Sequence, residues 1–544
     1  MQDNYQRTIS RKEMITMKKM KRLVALALSV VMVLAMSVFA SAATVNVTVP
    51  EGMENHTFVA YQIFTGTQAS DSGELGDVKW GNGINETSFL ADLKAETSAV
   101  KNIFASCTDA KSVAEALGTV NSNTDEAKAV AKIALANKKG DGQALTKGEN
   151  TLESGYYLIV DTTKTSGEND ASNAALLQVT NDIAITKKTD KPSVEKKVKE
   201  NTKYDQDGGY GTDYNDVADY NMGDDVPFHL IGTVPDMSNY DTYKYIFYDT
   251  LSAGLTAPAE TEIKVYLSDD KIKDNNDADI TDNFTIEVSG QNITITCNNL
   301  KTINNIAKGK YIIVEYSAKL NQNAVVGLDG NENKVNLEYS NNPDQSGEGD
   351  TDNTGKTPDD KVIVFTYELD VTKVDGENNN TKLQGAEFKL RNSDGKWAVV
   401  TDGKVTGWSD TEAGGTTLTS DENGLFHVTG LDDGTYYLKE TKAPAGYNVL
   451  TDEITLVVSA KTTNNQNWSE VPSDALTKID VTVNGGTAAD GDVSNGTVSV
   501  TVENNKGSQL PSTGGIGTTI FYVIGGILMV GAAVLLITKK RAEN

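Results

Sequence analysis

Period-two alternation of apolar and polar residues recurs along most of this 544-residue chain, and it limits the possible folds more than any other feature. Val45, Val47 and Val49 share one face of an extended segment, as do Val194, Lys196 and Val198, Ile293, Ile295 and Cys297, and Val498, Val500, Val502 and Asn504. Such a repeat marks a half-buried strand. The sequence therefore predicts a mainly β protein of tandem Ig-like β-sandwich domains. One stretch departs from the pattern: residues 88–138 are rich in Ala, Lys and Glu with helical spacing, as at Val113, Ala116 and Leu117. They predict a helical insertion in the first domain, with Ser112-x-x-Glu115 as a capping box and Gly118 closing that helix. Only two cysteines, Cys107 and Cys297, are present, and they fall in different predicted domains, so a disulfide framework is not available. The alternation makes Cys297 a buried small hydrophobe.

Both ends are processing segments. Lys18, Lys19, Lys21 and Arg22 precede an apolar run, 23–40, and an Ala40-Ser41-Ala42 cleavage site, so residues 1–42 read as a secretory signal peptide. At the other end Leu510-Pro511-Ser512-Thr513-Gly514 is followed by an uncharged run, 520–537, long enough to cross a hydrocarbon core, and by Lys539-Lys540-Arg541. In that order these features resemble the LPxTG sorting signal of Gram-positive surface proteins, with every motif position matched. The resemblance implies that a sortase cysteine cleaves between Thr513 and Gly514, so that segment 506–544 serves sorting and anchoring. The alternative is an ordinary anchor helix behind a chance pentapeptide. A cell-wall-anchored surface location, with a membrane-anchored precursor, is the expectation.

The two ends carry net charges of +5 (1–42) and +2 (514–544), which leaves −34 for the remainder of a chain whose total is −27. That balance opposes nucleic-acid binding. His56, His229 and His427 are scattered without metal-like spacing, and neither a metal set nor a Ser/His/Asp arrangement is legible; the expectation is no cofactor, no metal and no enzyme activity. The acidic loop at Asp274, Asp277 and Asp279 lacks the full calcium-loop pattern and reads as a solvated turn.

Composition shifts divide the rest into a first domain, 43–187, a middle β-sandwich, 188–343, an acidic linker poor in large apolar residues, 344–361, and a last domain, 362–505. In the last domain Val371-Thr372-Lys373-Val374-Asp375, Gly385-Ala386-Glu387-Phe388 and the run from Tyr437-Leu438-Lys439-Glu440 to Pro444-Ala445-Gly446-Tyr447 resemble the Cna B-type, prealbumin-like domain of Gram-positive adhesins and pilins. With the sorting signal and the domain order, the chain is similar to SpaA-type backbone pilins.

The alternation also carries polar residues onto apolar faces: Lys373, Glu440 and Asn504 in the last domain. A buried lysine or carboxylate costs several kcal/mol unless neutralised or paired. Burial lowers the amine pKa and raises that of the acid, giving a neutral nucleophile beside a protonated carboxyl. The amine can then attack the Asn carbonyl while the acid protonates and polarises it, and ammonia leaves. The resemblance implies that this reaction yields an intramolecular isopeptide bond, here Lys373–Asn504 with Glu440 as catalyst. The alternative is a surface Lys–Glu pair with an unrelated Asn. In the middle domain Lys196, Asp249 and Asn341 are the inward polar residues of a first, a middle and a last strand, matching the Lys/Asp/Asn sets of the family. In the first domain the acid position of the Gly155–Val160 run is Val160, and no crosslink is expected there.

Two functions follow. One is a structural polymer subunit, in which sortase joins Thr513 of one copy to a lysine of the next, head to tail, and finally to peptidoglycan, with accessory pilins and host surface ligands as possible further partners. The other is a monomeric wall-anchored adhesin that binds a host or partner ligand. The resemblance places the linking lysine at the end of the first domain, where Lys188 is the choice, with Lys187 and Lys191 behind it. The family's Tyr-Pro-Lys motif is not present there.

Overall fold

The computed structural model describes residues 44–49, 53, 55–68, 75–121, 124–165, 167–179, 183–185, 190–201, 214–344, 353–462, 468–507 and 516–542. The signal peptide, Lys187, Lys188 and the Leu510–Gly514 motif lie outside them.

The first unit is built around the strand Gly155–Asp161, every residue of which is buried. A strand covered on both faces must be apolar throughout rather than alternating. Tyr156, Leu158 and Val160 face one core, shared with Phe64, Phe89, Phe104 and Val113, which the helices Glu86–Lys94, Lys101–Phe104, Ala110–Leu117 and Asp125–Ala136 close. Tyr157 and Ile159 face a second core with Val47, Val49 and Leu152, which lie on the small sheet of Gly148–Glu153, Thr44–Val49 and Ile183–Ala184. The expected helical insertion is thus present, but its cap differs. Asp109, not Ser112, is the N-cap: its carboxylate accepts from Ser112 N at 2.8 Å, which makes Ser112 the third helical residue, and Gly118 ends the helix as expected.

The middle unit is a sandwich. One sheet runs Tyr214–Asn215, Val194–Lys199, Asp225–Thr233, Tyr311–Leu320, Lys264–Ser268, Ala278–Asp279 in spatial order. The facing sheet runs Val217–Asp219, Asp360–Phe365, Asn331–Ser340, Tyr245–Leu251, Asn292–Cys297, Thr285–Ser289. Here the expected linker is corrected. Thr354–Lys356 and Asp360–Phe365 both pair antiparallel with Asn331–Ser340, so the second half of 344–361 and the first residues assigned to the last domain belong to the middle sheet. Cys297 is buried at the end of its strand, and both cysteines are free thiols.

The last unit starts at Tyr367. Its first strand, Tyr367–Asp375, lies between Leu425–Leu431, antiparallel, and the final strand Thr497–Asn504, parallel. The parallel register sets Lys373 opposite Val502 and Asp375 opposite Asn504. One continuous hydrophobic core runs from the middle unit into the last. Beyond it the helix Ile516–Ala542 carries a 23-residue stretch, Ile520–Ala542, whose most apolar 18 residues have a mean hydropathy of 2.7 and are not buried against the described residues, long and apolar enough to cross a membrane.

Candidate functional site

In the last domain the three predicted residues meet. Lys373 Nζ lies 3.6 Å from Glu440 Oε1, with both side chains fully buried. Asn504, also 0% exposed, donates through Nδ2 to Glu440 Oε2 at 3.0 Å and to Asn448 O at 2.6 Å. Leu450 N donates to the same Oε2 at 2.7 Å and so holds the carboxylate in place. Three reactive atoms, Lys373 Nζ, Glu440 Oε1 and Asn504 Oδ1, lack a hydrogen-bond partner among the described residues. Leaving buried polar atoms unsatisfied costs about 1–3 kcal/mol each, so the pocket stores a cost that a reaction among them would remove. Burial lowers the Lys373 amine to about 8, although the Glu440 charge opposes the shift. The register explains the meeting: Val502 is level with Lys373, and Asn504, two residues on, shares its face as the diagonal neighbour across two parallel strands.

The middle domain brings together two of its three predicted residues. Lys196 Nζ donates to Asp249 Oδ1 at 2.6 Å between the facing sheets, with neither side chain exposed. Its ammonium sits 5.3 Å from the Phe228 ring and 5.5 Å from the Tyr316 ring, and burial pulls its pKa down despite Asp249. Asn341 is not with them. Asp249 pairs with Val335, and Asn341 lies six residues further along that strand, roughly 20 Å away. It donates instead to Thr165 O at 2.5 Å and Asp170 O at 3.1 Å, and accepts from Ser172 N at 2.8 Å. Asn341 therefore ties the first domain to the middle one.

The asparagine at the Lys196 level is Asn333, on the same strand and face, opposite Leu251 and 0% exposed. Its Nδ2 donates to Tyr316 OH at 2.8 Å, while its Oδ1 has no hydrogen-bond partner among the described residues. Tyr316 also accepts from Lys196 Nζ at 3.1 Å and donates to Asp249 Oδ2. Sequence reasoning missed both residues, although Asn333 belongs to the alternation that selected Val335, Leu337, Tyr339 and Asn341.

The first domain has Val160 buried in its core, as expected, and a buried acid one residue later. Asp161 accepts from His56 Nδ1 at 2.8 Å, from Asn173 N at 2.8 Å and from Asn173 Nδ2 at 3.0 Å. Burial raises its carboxyl but these hydrogen bonds prevail, so its pKa is lowered. Among the described residues no buried lysine faces it. Lys191, the one described candidate for the linking lysine, donates to Asn169 O at 2.5 Å. Asp274 and Asp279 form exposed turns with Asn276 and Thr281.

Residues 222–343 match the family described as Gram-positive pilin backbone subunit 2, Cna-B-like domain, 367–471 match the SpaA prealbumin-like fold domain, and 502–544 match the LPXTG cell wall anchor motif. The middle and last domains and the C-terminal anchor of this chain match those of Gram-positive pilins. The anchor match and the exposed apolar helix make this chain a cell-wall-anchored surface protein with a membrane-anchored precursor. It is similar to the trypsin-resistant surface T6 protein of Streptococcus pyogenes serotype M6, at 30% identity over 279 residues, 42% of this chain and 48% of that protein. It is also similar to the fimbrial subunit type 2 of Actinomyces naeslundii, at 24% identity over 374 residues, 60% of this chain and 58% of that one. The chain thus spans about half the length of the curated relatives it matches. Among solved structures, the T6 backbone pilin of serotype M6 Streptococcus pyogenes shares the fold, with a TM-score of 0.50 at 19% identity over 86% of this chain and 98% of that chain.

Proposed function

We propose that this chain is the structural subunit of a covalently polymerised surface fibre, and that it locks its middle and last domains with self-formed Lys–Asn isopeptide bonds. The observation that carries this reading is the pair of buried Lys–acid–Asn sets, each joining the first strand of a sandwich to a late one. In the last domain Lys373 passes a proton to Glu440, and the neutral amine attacks Cγ of Asn504. Glu440 faces the amide nitrogen rather than the carbonyl oxygen, so its proton goes to the departing ammonia; the expected polarisation of the carbonyl is re-aimed at the leaving group. The middle domain forms Lys196–Asn333 with Asp249, in place of Lys196–Asn341. Folding holds the reactants within a few ångströms, which supplies the effective concentration that an uncatalysed exchange lacks.

A fibre needs tension to cross each subunit. A bond from Lys373 to Asn504 carries force from the first strand to the last without unzipping the sheet between them. Sortase would cleave between Thr513 and Gly514 and transfer the Thr513 carbonyl to Lys188 of the next copy, and the last subunit to peptidoglycan. The chain is substrate in these transfers, and its own chemistry is single-turnover.

An immunoblot of wall extracts boiled in SDS tests assembly. A high-mass ladder is expected, and Lys188→Ala should collapse it to monomer that still reaches the wall. A single monomeric band in the unaltered protein would refute the polymer reading in favour of the adhesin.

A further inference from the structure

The two buried sets differ in the length of their acid. Glu440 reaches its asparagine directly, with Oε2 3.0 Å from Asn504 Nδ2. Asp249 is one methylene shorter, and among the described residues no hydrogen bond joins it to Asn333. The Tyr316 hydroxyl fills the gap: it donates to Asp249 Oδ2 and accepts from Asn333 Nδ2 at 2.8 Å, so Asp249 and Tyr316 together span what Glu440 spans alone. We propose that Tyr316 is the proton relay of the middle-domain crosslink, handing the proton held by Asp249 to the departing nitrogen of Asn333. This rests on the reading that Lys196 and Asn333 become joined.

The step balances without an outside reactant. Lys196 Nζ gives its first proton to Asp249 Oδ1, 2.6 Å away. Its freed lone pair forms the new bond to Asn333 Cγ, and the carbonyl π pair moves onto Oδ1. With Asp249 still charged the phenol points at the carboxylate; once Asp249 is protonated its carboxyl turns to bring that proton to the phenol and the chain reverses, the carboxyl donating to the phenol oxygen and the phenol donating to Nδ2. The carbonyl re-forms, the Cγ–Nδ2 pair leaves with the nitrogen, and ammonia departs. The second proton from Lys196 returns to Asp249, which ends protonated. Burial and the neighbouring Asp249 charge hold the phenol well above its ordinary pKa, so it exchanges a proton rather than losing one.

Tyr316→Phe removes only the hydroxyl and keeps the ring stacked on Phe228, 5.5 Å away. The full mature chain, 43–513, is purified promptly, and the branched Lys196–Asn333 peptide is followed by mass spectrometry over time, with Lys373–Asn504 as the internal measure of correct folding. Tyr316→Phe should slow the middle-domain bond by about 100-fold, the usual contribution of a positioned proton donor, and leave the last-domain bond unchanged. Adding Asp249→Glu should restore the rate, because the longer acid reaches Nδ2 itself. A purely structural hydroxyl would not be rescued in this way. Linkage at the wild-type rate in Tyr316→Phe, or no recovery in the double variant, overturns the relay. Absence of the Lys196–Asn333 peptide from the wild type, with Lys373–Asn504 present, instead withdraws the middle-domain bond itself, and the relay with it.

Discussion

Glu440→Gln separates the chemistry of the last domain from its packing. The amide keeps the shape of the carboxylate and an oxygen to accept from Leu450 N, 2.7 Å away in the native pocket, but it cannot carry a proton from Lys373 to Asn504. The bond should fail to form while the fold persists. Lys373 and Asn504 are 131 residue steps apart, and closing a loop of that length stabilises by about 5 kcal/mol on the chain-entropy model. A domain of roughly 140 residues unfolds with an entropy near 0.3 kcal/mol/K, so losing the bond should lower its Tm by about 15–20 °C. The assay is differential scanning calorimetry of the mature chain beside its intact mass. Glu440→Gln should show one more ammonia than the wild type and a last-domain transition shifted by that amount. A variant that still loses the ammonia, or one that retains it and melts within about 3 °C of the wild type, would refute the reasoning.

Three further outcomes are expected. Asn333→Ala should abolish the middle-domain bond, whereas Asn341→Ala should leave it intact and loosen the junction to the first domain by about 1–3 kcal/mol, because Thr165 O and Asp170 O lose their buried donor; limited proteolysis and peptide mapping distinguish the two. Formation of the last-domain bond should slow as pH rises above about 8, where the proton that Glu440 carries from Lys373 to the departing nitrogen is lost to solvent, and a pH series of linkage rates checks this. In the unlinked Asn504→Ala variant the folded Lys373 pKa lies below its unfolded value, so the destabilisation is full below about 8 and is relieved as pH rises towards the unfolded value; chemical denaturation between pH 7 and pH 10, monitored by last-domain fluorescence, should show stability increasing.

Much of the chemistry was legible because it contradicts the pattern around it. Lys373, Glu440 and Asn504 stand on faces otherwise filled by Leu369, Val371, Leu438, Val500 and Val502, and burial of all three follows from period two alone. Alternation fixes the face of a residue but not its level along the strand. Asn333 and Asn341 share a face eight residues apart, and only the pairing of Tyr245–Leu251 with Asn331–Ser340 decides between them. Tyr316 was hidden for another reason: a tyrosine among Val314 and Ala318 looks like ordinary core, and its role comes from a hydroxyl reached from three separate strands. The boundary at 344–361 misled because Thr354–Lys356 is a short strand with no large apolar side chain, held to the sheet by backbone bonds that composition does not record.

The central claim is that two buried asparagines become backbone-like amides with two buried lysines. Intact-mass measurement of the mature chain 43–513, followed by peptide mapping, tests it most directly. The expected result is a mass two ammonia losses below that of the sequence, with branched peptides joining Lys373 to Asn504 and Lys196 to Asn333. A mass equal to the unmodified sequence, with all four residues recovered in linear peptides, would contradict it.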